Sequence, residues 1–172
     1  MLIEFKGMTP KVEKAAYIAP SATICGDVVL GQDSSIWFNA VIRGEVDAIR
    51  IGDRSNVQDH AMLHADYDCP ITICNGVSVG HNSIVHGATI EDDVIVGMGA
   101  QVLNGAVVGR GSFIAAGALV KEGQIIPERS LVVGIPGKIV KTFTEEEVDR
   151  QRENARVYVE DAHEYAQSKV WE

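Results

Sequence analysis

Aliphatic side chains recur every six residues along most of this chain. An amphipathic helix has a period of about 3.6 residues and a half-buried strand a period of two, so a sustained period of six predicts neither. Three breaks interrupt the pattern and it restarts after each of them. The aliphatic positions are Ile18, Ile24, Leu30, Ile36, Ile42, Ile51, Val57, Leu63, Ile73, Val79, Val85, Ile90, Val96, Val102, Val108, Ile114, Val120 and Ile126.

A second position of the repeat, four residues after most of these aliphatic residues, is small or β-branched. It is occupied by Ala22, Val28, Ser34, Ala40, Ser55, Ala61, Val77, Ser83, Val94, Ala100, Ala106, Ser112 and Ala118. Two side chains in every six are therefore expected to point inward. Glycine often follows the aliphatic residue directly, which suits a chain that turns a corner every six residues. These glycines are Gly31, Gly52, Gly80, Gly97 and Gly109.

Evenly spaced corners predict a solenoid with three flat faces, because a short sheet cannot supply so many of them. One coil then takes about 18 residues. We predict an all-β solenoid, a parallel β-helix, over 18–140. The repeat resembles that of the hexapeptide-repeat superfamily over 18–131, and this resemblance implies left-handed coils, which the period alone does not determine.

The segments outside the repeat are short, so the whole chain is expected to form one domain. Residues 1–17 are a lead-in segment. Residues 141–172 are predicted to form a C-terminal α-helix packed on the β-helix, because Thr144 and Glu147 have capping-box spacing. An apolar stripe follows, made up of Val148, Ala155, Val159, Ala162 and Ala166.

Charge and cysteine content narrow the function classes. The formal net charge of −9 and the pI near 5.0 argue against a nucleic-acid partner, which needs clustered Lys and Arg. Three cysteines with no CxxC pair fit a reducing compartment. The sequence has neither a run long enough to span a membrane nor a signal-peptide pattern, so we expect a cytoplasmic protein without a membrane partner.

Two histidines are predicted to stack on neighbouring coils. Leu63 and Val85 are 22 residues apart. Four of these residues are an excess in the loop between Ala65 and Thr72, which leaves one coil. His64 and His86 each follow their aliphatic residue directly. Adjacent strands lie about 4.8 Å apart, so both outward imidazoles can reach one metal ion.

A third histidine belongs to a different face of the solenoid. His81 comes two residues after Val79, so within one chain it is expected to point away from His64 and His86. The three can meet only between subunits of a threefold assembly, with one shared site at each junction. Three histidines with an open fourth position are typical of a catalytic rather than a structural zinc site.

The same spacing places further side chains around this predicted site. Asp59 falls one coil below His81, and Arg43 falls in the column of His64 and His86. Arg43 of one chain could therefore face Asp59 of the next. One coil above the histidines, the outward columns hold Met98 and Leu103, an apolar wall that suits a small apolar substrate.

At these residues the chain resembles the γ-class carbonic anhydrases. The matching segments are 42–43, 52–59, 63–65, 79–81 and 85–87. The resemblance implies a homotrimer that reversibly hydrates carbon dioxide to bicarbonate, with His64, His81 and His86 from two subunits binding Zn²⁺. Fe²⁺ or Co²⁺ would also suit three imidazoles.

The resemblance also implies roles for other residues. Gln58 would hydrogen-bond the water on the ion or the substrate, and Asp59 with Arg43 would order the interface. Tyr158 on the terminal helix is expected to support the site. The best-known members carry an Asp and then a Glu after the Arg, whereas this chain has Glu45 and Val46 there.

The chain also departs from those members in its loop after the first ligand, which is short. That loop is long and acidic in the best-known members, where it is associated with moving protons. Turnover is therefore expected to be slow, or carbon dioxide is not the natural substrate. The residues left as alternative proton relays are Glu45, His60, Asp66 and Asp68.

Two other functions remain open at this point. Many hexapeptide proteins are coenzyme A-dependent acyltransferases that use one histidine as a general base, and such an enzyme would need one His and no metal. The other alternative is a trimeric scaffold that is non-catalytic, or differently catalytic, and binds a metal for structure or an iron-carrying ligand. Metal analysis together with a hydration assay separates these possibilities.

Overall fold

The computed structural model describes residues 1–169 as a left-handed β-helix of about seven turns followed by one helix. The fold class predicted from the repeat is confirmed. The elements are β1 (Leu2–Ile3), β2 (Tyr17–Ile18), β3 (Thr23–Leu30), β4 (Ser35–Ile36), β5 (Val41–Ile51), β6 (Asn56–Val57), β7 (Met62–His64), β8 (Ile71–Ile73), β9 (Ser78–Val79), β10 (Ile84–His86), β11 (Thr89–Ile90), β12 (Ile95–Val96), β13 (Gln101–Val102), β14 (Val107–Val108), β15 (Phe113–Ile114), β16 (Leu119–Val120), β17 (Ile125–Ile126), β18 (Ser130–Val133), β19 (Lys138–Thr142) and α1 (Glu145–Gln167).

The strands stack in parallel into three faces. The first face contains β7, β10, β13 and β16, and the second contains β8, β11, β14 and β17. The long strands β3 and β5 run around the corner between these two faces and join them into one continuous sheet. The third face runs from β2 through β4, β6, β9, β12 and β15 to β18, and β19 closes it antiparallel to β18. Ahead of the first coil, β1 pairs with β3.

The core contains the two inward positions of each repeat. All of the predicted small residues are buried, and so are all of the predicted aliphatic residues except Ile18, which is half-buried in the first coil. Burying a Val, Leu or Ile side chain contributes about 1.5–3 kcal/mol each, so this column of apolar side chains is what stabilises the stacked coils.

The glycines predicted at the corners do lie there, but none of them is required by a left-handed backbone angle. None of the five has a positive φ; the positive φ falls two residues later in each corner, at Asp33, Arg54, Asn82, Gly99 and Gly111. A Cβ added at any of the five glycines would instead lie 2.5–2.7 Å from the backbone of the next coil. They are glycines because the stacked backbones come too close for any side chain.

The N-cap of α1 is the residue that the sequence predicts, although the segment predicted as helical from residue 141 begins with the end of β19. The N-cap Thr144 accepts from the amide of Glu147, whose side chain accepts from the amide of Thr144. Three of the five residues of the apolar stripe, Val148, Ala155 and Ala162, are buried as α1 packs on β2, β4 and β6 of the third face.

The end of the stripe differs from the prediction. Val159 is only half-buried, and Ala166 is exposed on an open cavity of about 800 Å³ beside Tyr165. Residues 170–172 of the predicted helical segment lie outside the described residues. Among those described, no helix is both long and apolar enough to cross a membrane.

Candidate metal centre

The first two predicted ligands lie side by side on the first face. The register pairs His86 of β10 with His64 of β7, as the spacing predicts. Their ring centroids are 4.9 Å apart, and Nδ1 of His64 lies 2.9 Å from Nε2 of His86. Both side chains are partly buried, so the pair sits at the surface of the prism with its nitrogens converging on one place.

The hydrogen bonds around His86 direct one ring nitrogen at His64. Nδ1 of His86 lies 2.5 Å from Oδ1 of Asn104, and Nδ2 of Asn104 donates to Asp66 at 2.9 Å. Hydrogen bonds from the amide of Tyr67 and from Asn104 hold the pKa of Asp66 below its ordinary value. The sequence reasoning missed Asn104, although it comes directly after Leu103, which the coil register had already placed above His86.

His81 lies at the corner that enters the first face, whereas His64 and His86 lie where the chain leaves that face. Nδ1 of His81 donates to Oδ2 of Asp59 at 2.8 Å, and Oδ1 of Asp59 accepts from the amide of Phe38 at 3.3 Å. Because an ionised carboxylate only accepts hydrogen bonds, Nδ1 is the nitrogen that donates, and in the neutral ring Nε2 then has the lone pair. The side chain of His81 is 37% exposed, which leaves this nitrogen available to a partner.

Within residues 1–169 of a single chain, no three His, Cys, Asp or Glu side chains converge closely enough to hold a metal ion. His64 and His86 lie together at the ends of β7 and β10, whereas His81 lies in the turn before β10, and the meeting of all three between subunits stays a prediction.

Glu45 joins His64 to Arg43. Oε1 of Glu45 contacts the guanidinium of Arg43 and lies 3.2 Å from Nε2 of His64. Arg43 is aligned with His64 in neighbouring strands, as the spacing predicts. Oε2 of Glu45 is buried and has no hydrogen-bond partner among the described residues of this chain. The partner that Arg43 has within the chain is thus Glu45, and its pairing with Asp59 of a neighbouring subunit stays a prediction.

Gln58 is held in one orientation by a buried polar network. Its Nε2 donates to Oδ1 of Asn56 at 3.0 Å, and Nδ2 of Asn56 donates to Oγ of Ser78 at 2.9 Å. Since the amide nitrogen is engaged, the oxygen Oε1 of Gln58 is the group left to accept a hydrogen bond. The side chain borders the same cavity as His81.

That cavity has a volume of about 290 Å³ and lies between the third face and α1. Of the two residues predicted to form an apolar wall, Met98 borders this cavity and Leu103 does not; Ile95 and Phe113, which were not predicted, provide further apolar side chains. Tyr158 also borders it, with its hydroxyl 3.5 Å from Nε2 of His81. Burial, with a smaller contribution from the carboxylates of Asp59 and Asp161, raises the pKa of Tyr158, so its hydroxyl stays protonated at neutral pH.

Two of the residues predicted as alternative proton relays make none of the contacts described above. His60 and Asp68 are exposed turn residues with positive φ, at 59° and 55°. The three cysteines are free thiols. The cavity of about 800 Å³ is larger than the one at His81, but within the described part of the chain none of the predicted site residues borders it.

The residues fit a divalent metal ion. Two nitrogens bound to one tetrahedral ion at 2.0–2.1 Å would lie about 3.3 Å apart, so the pair at His64 and His86 needs to move by only a few tenths of an ångström. His81 offers a third nitrogen of the same kind. The buried, unpartnered oxygen of Glu45 beside His64 is a further sign that this edge is incomplete in a single chain.

Comparisons with known proteins connect this geometry to one family. Residues 87–122 match the family described as bacterial transferase hexapeptide (six repeats). The chain is 55% identical over 148 residues to a probable carbonic anhydrase of Methanocaldococcus jannaschii, covering 86% of this chain and 93% of that protein. It is 39% identical over 157 residues to the mitochondrial gamma carbonic anhydrase 2 of Arabidopsis thaliana, covering 88% of this chain and 56% of the relative.

Among solved structures, a Bacillus cereus protein with a provisional acetyltransferase name superposes with a TM-score of 0.92. It is 41% identical, and the match covers 96% of each chain.

Proposed function

This chain belongs to the γ-class carbonic anhydrase family, and we propose that it catalyses the reversible hydration of carbon dioxide to bicarbonate at metal centres shared between the subunits of a homotrimer. The observation that carries the proposal is the placement of the three histidines. His64 and His86 converge at one edge of the first face and His81 lies at its other edge, as a ligand set divided between neighbouring chains requires.

A threefold arrangement with the first faces turned toward the axis brings unlike edges together at each of three equivalent junctions. Every junction then combines His64 and His86 of one chain with His81 of the next. The proposed ion is Zn²⁺; Fe²⁺ or Co²⁺ would also bind three imidazoles. When bound, such an ion supplies a nucleophilic hydroxide at neutral pH by lowering the pKa of water.

The residues of the chain provide the rest of the chemistry. Oε1 of Gln58 accepts a hydrogen bond from the hydroxyl of the attacking group or of bicarbonate, which orients that group toward carbon. The apolar side chains of Ile95, Met98 and Phe113 form an apolar binding site for uncharged carbon dioxide. Hydration also releases a proton, which must leave before the next turnover.

Glu45 is the best placed of the four proposed relays to take that proton. Its Oε1 lies 3.2 Å from Nε2 of His64 and its Oε2 has no hydrogen-bond partner among the described residues of this chain, whereas both oxygens of Asp66 already accept hydrogen bonds. His60 and Asp68 are exposed turn residues. We therefore assign the first acceptance of that proton to Oε2 of Glu45.

The test compares the untagged protein with His81→Ala for metal content and carbon dioxide hydration. We expect about one ion per chain in the parent protein and loss of both metal and activity in the variant, because one of three ligands is gone. Metal without hydration would favour the metal-binding scaffold. Absence of metal in the parent protein would contradict the proposal.

Asp59 provides a second prediction through its contact with His81. Removing the group that orients a metal-binding histidine lowers metal affinity by about 10–100-fold, and we expect this range for Asp59→Ala. Asp59→Asn should lose less metal affinity than Asp59→Ala, since an amide oxygen can still accept a hydrogen bond from Nδ1 of His81. The measurement is zinc affinity by competition with a chelator.

Asp53→Ala is the matched control for Asp59→Ala. Asp53 accepts from the amide of Gln32 at 2.8 Å, which is the same coil-to-coil contact that Asp59 makes with Phe38. A similar loss of zinc affinity in both variants would mean that Asp59 only stabilises the contact between coils and does not orient His81.

An acyltransferase remains the second candidate, because the Bacillus cereus structure carries a provisional acetyltransferase name at 41% identity. That function would need one histidine as base and no metal. Binding of coenzyme A by the metal-free protein, with transfer activity that survives chelation, would favour it over hydration.

A further inference from the structure

We propose that Asn104, anchored by Asp66, is a positioning residue that fixes the ring of His86 so that its Nε2 lone pair faces the metal position. The proposal rests on the metal centre proposed above and goes beyond it, because it assigns a task to the short loop after His64. It is carried by a chain of hydrogen bonds in which the carboxylate of Asp66 and the amide of Asn104 determine which ring nitrogen of His86 donates.

The chain of hydrogen bonds starts at a group that can only accept. The ionised carboxylate of Asp66 has no proton, so the contact of 2.9 Å between its Oδ2 and Asn104 must use the Nδ2 donor of the amide. The amide oxygen of Asn104 then faces Nδ1 of His86 at 2.5 Å. An amide oxygen only accepts, so Nδ1 of His86 carries the proton and Nε2 keeps its lone pair.

Asp66 is itself held firmly. Its backbone forms a two-hydrogen-bond turn with Cys69, with N···O distances of 3.1 and 3.0 Å, and its Oδ1 accepts from the amide of Tyr67 at 2.9 Å. Both carboxylate oxygens are therefore engaged, one by the loop and one by Asn104. The extra residues between β7 and β8 thus bring an acceptor from the coil of His64 to the amide of Asn104, which lies two coils further along the chain.

The surrounding backbone leaves room for this contact. A Cβ at Gly87 would lie 2.7 Å from Oδ1 of Asn104 and 2.7 Å from Sγ of Cys69. Any side chain there would displace the amide from His86. The thiol of Cys69 also donates to the carbonyl of Gly87 at 2.9 Å, which ties the loop to the strand end that carries His86.

The first experiment measures zinc affinity by chelator competition for the parent protein and for Asn104→Leu, a variant of similar size without an acceptor. We expect binding about 10–100-fold weaker in the variant, because a ligand that loses its orienting partner also loses its fixed tautomer. Asn75→Leu is the control. Asn75 accepts from the amide of Asp53 at 2.8 Å and so joins coils in a similar way, away from the three histidines.

A double variant separates hydrogen bonding from packing. The double variant combines Asp66→Asn with Asn104→Asp. The carboxylate at position 104 then accepts from Nδ1 of His86, and the amide at position 66 donates to that carboxylate, so both hydrogen bonds can still form. We expect zinc affinity to return to the parent range. Failure of this exchange to restore binding, or an equal loss in Asn75→Leu, would overturn the proposal.

The second readout needs neither metal nor carbon dioxide, so it can fail or succeed apart from the proposed function. Nitrogen-15 NMR of the metal-stripped protein distinguishes the two neutral tautomers of His86. We expect the proton on Nδ1 in the parent protein and a mixture in Asn104→Leu. A proton on Nε2 in the parent protein would overturn the proposal even if the enzyme hydrates carbon dioxide.

Discussion

Mixed trimers that contain both His64→Ala and His81→Ala subunits are expected to recover metal and activity that neither variant has alone. His64 and His81 lie at opposite edges of one face and would serve different junctions. In any ring of three that contains both variants, one junction brings an intact His64–His86 edge against an intact His81. Each mixed trimer should therefore bind about one ion, against about three in the parent trimer.

The measurement uses co-expression of the two variants with different tags and two successive purification steps, so that only mixed trimers are analysed. Their metal content should be the same whether two subunits of one variant or two of the other are present. Hydration activity should rise with the metal, to about a third of the parent value per trimer.

Co-expression of His64→Ala with His86→Ala is the matched control. These two residues lie together on one edge of one chain, so every junction lacks one or the other and no ordering of subunits restores a site. Recovery in this control, or no recovery in the first mixture while both variants assemble normally, would contradict a site divided between subunits as proposed.

The register of the histidines could be predicted because a solenoid converts sequence distance into position. Once a coil is known to take three repeats, the residue after Leu63 must stack beneath the residue after Val85, whatever their side chains are. The same rule correctly aligned Arg43 with His64. The excess residues of the loop had to be subtracted before the sequence distance equalled one coil.

The partners of these residues could not be predicted in the same way. Glu45 reaches both Arg43 and His64 because β5 bends around a corner, and the periodic pattern is interrupted there. Asn104 depends on Asp66, which belongs to the loop that breaks the period. Side chains outside the repeat have no fixed position in the coil, so their contacts follow from the folded loop alone.

The corner glycines show that a correct pattern does not by itself reveal its physical cause. Glycine after an aliphatic residue predicts where the chain turns, and the sequence alone does not say whether backbone angle or close packing requires it. The structure assigns the left-handed backbone angles to the residue two places later, where Asp33, Arg54 and Asn82 adopt them with side chains in place. The repeat in the sequence predicts where each corner lies. It does not predict how closely the backbones of neighbouring coils approach, because that distance depends on how the coils stack.

Gly52→Ala is accordingly expected to be much more destabilising than Gly123→Ala. A Cβ at Gly52 would lie 2.6 Å from the backbone C and O atoms of Cys74 in the next coil, and these cannot move without separating the coils. We expect the free energy of unfolding to fall by about 3 kcal/mol or more. Gly123 has φ +63° with no atom within 4 Å of an added Cβ, so only the left-handed conformation is penalised, by about 1–2 kcal/mol.

The two explanations of the corner glycines predict opposite orders for this pair. If glycine served only to permit unusual backbone angles, Gly52→Ala would be harmless or would stabilise by about 0.4–1 kcal/mol, since φ at Gly52 is not positive. Urea unfolding at one fixed protomer concentration measures both variants on the same scale. A larger loss for Gly123→Ala would reject close coil spacing as the reason for the glycine, whereas a larger loss for Gly52→Ala would make that spacing the constraint that selects the residue after each aliphatic position.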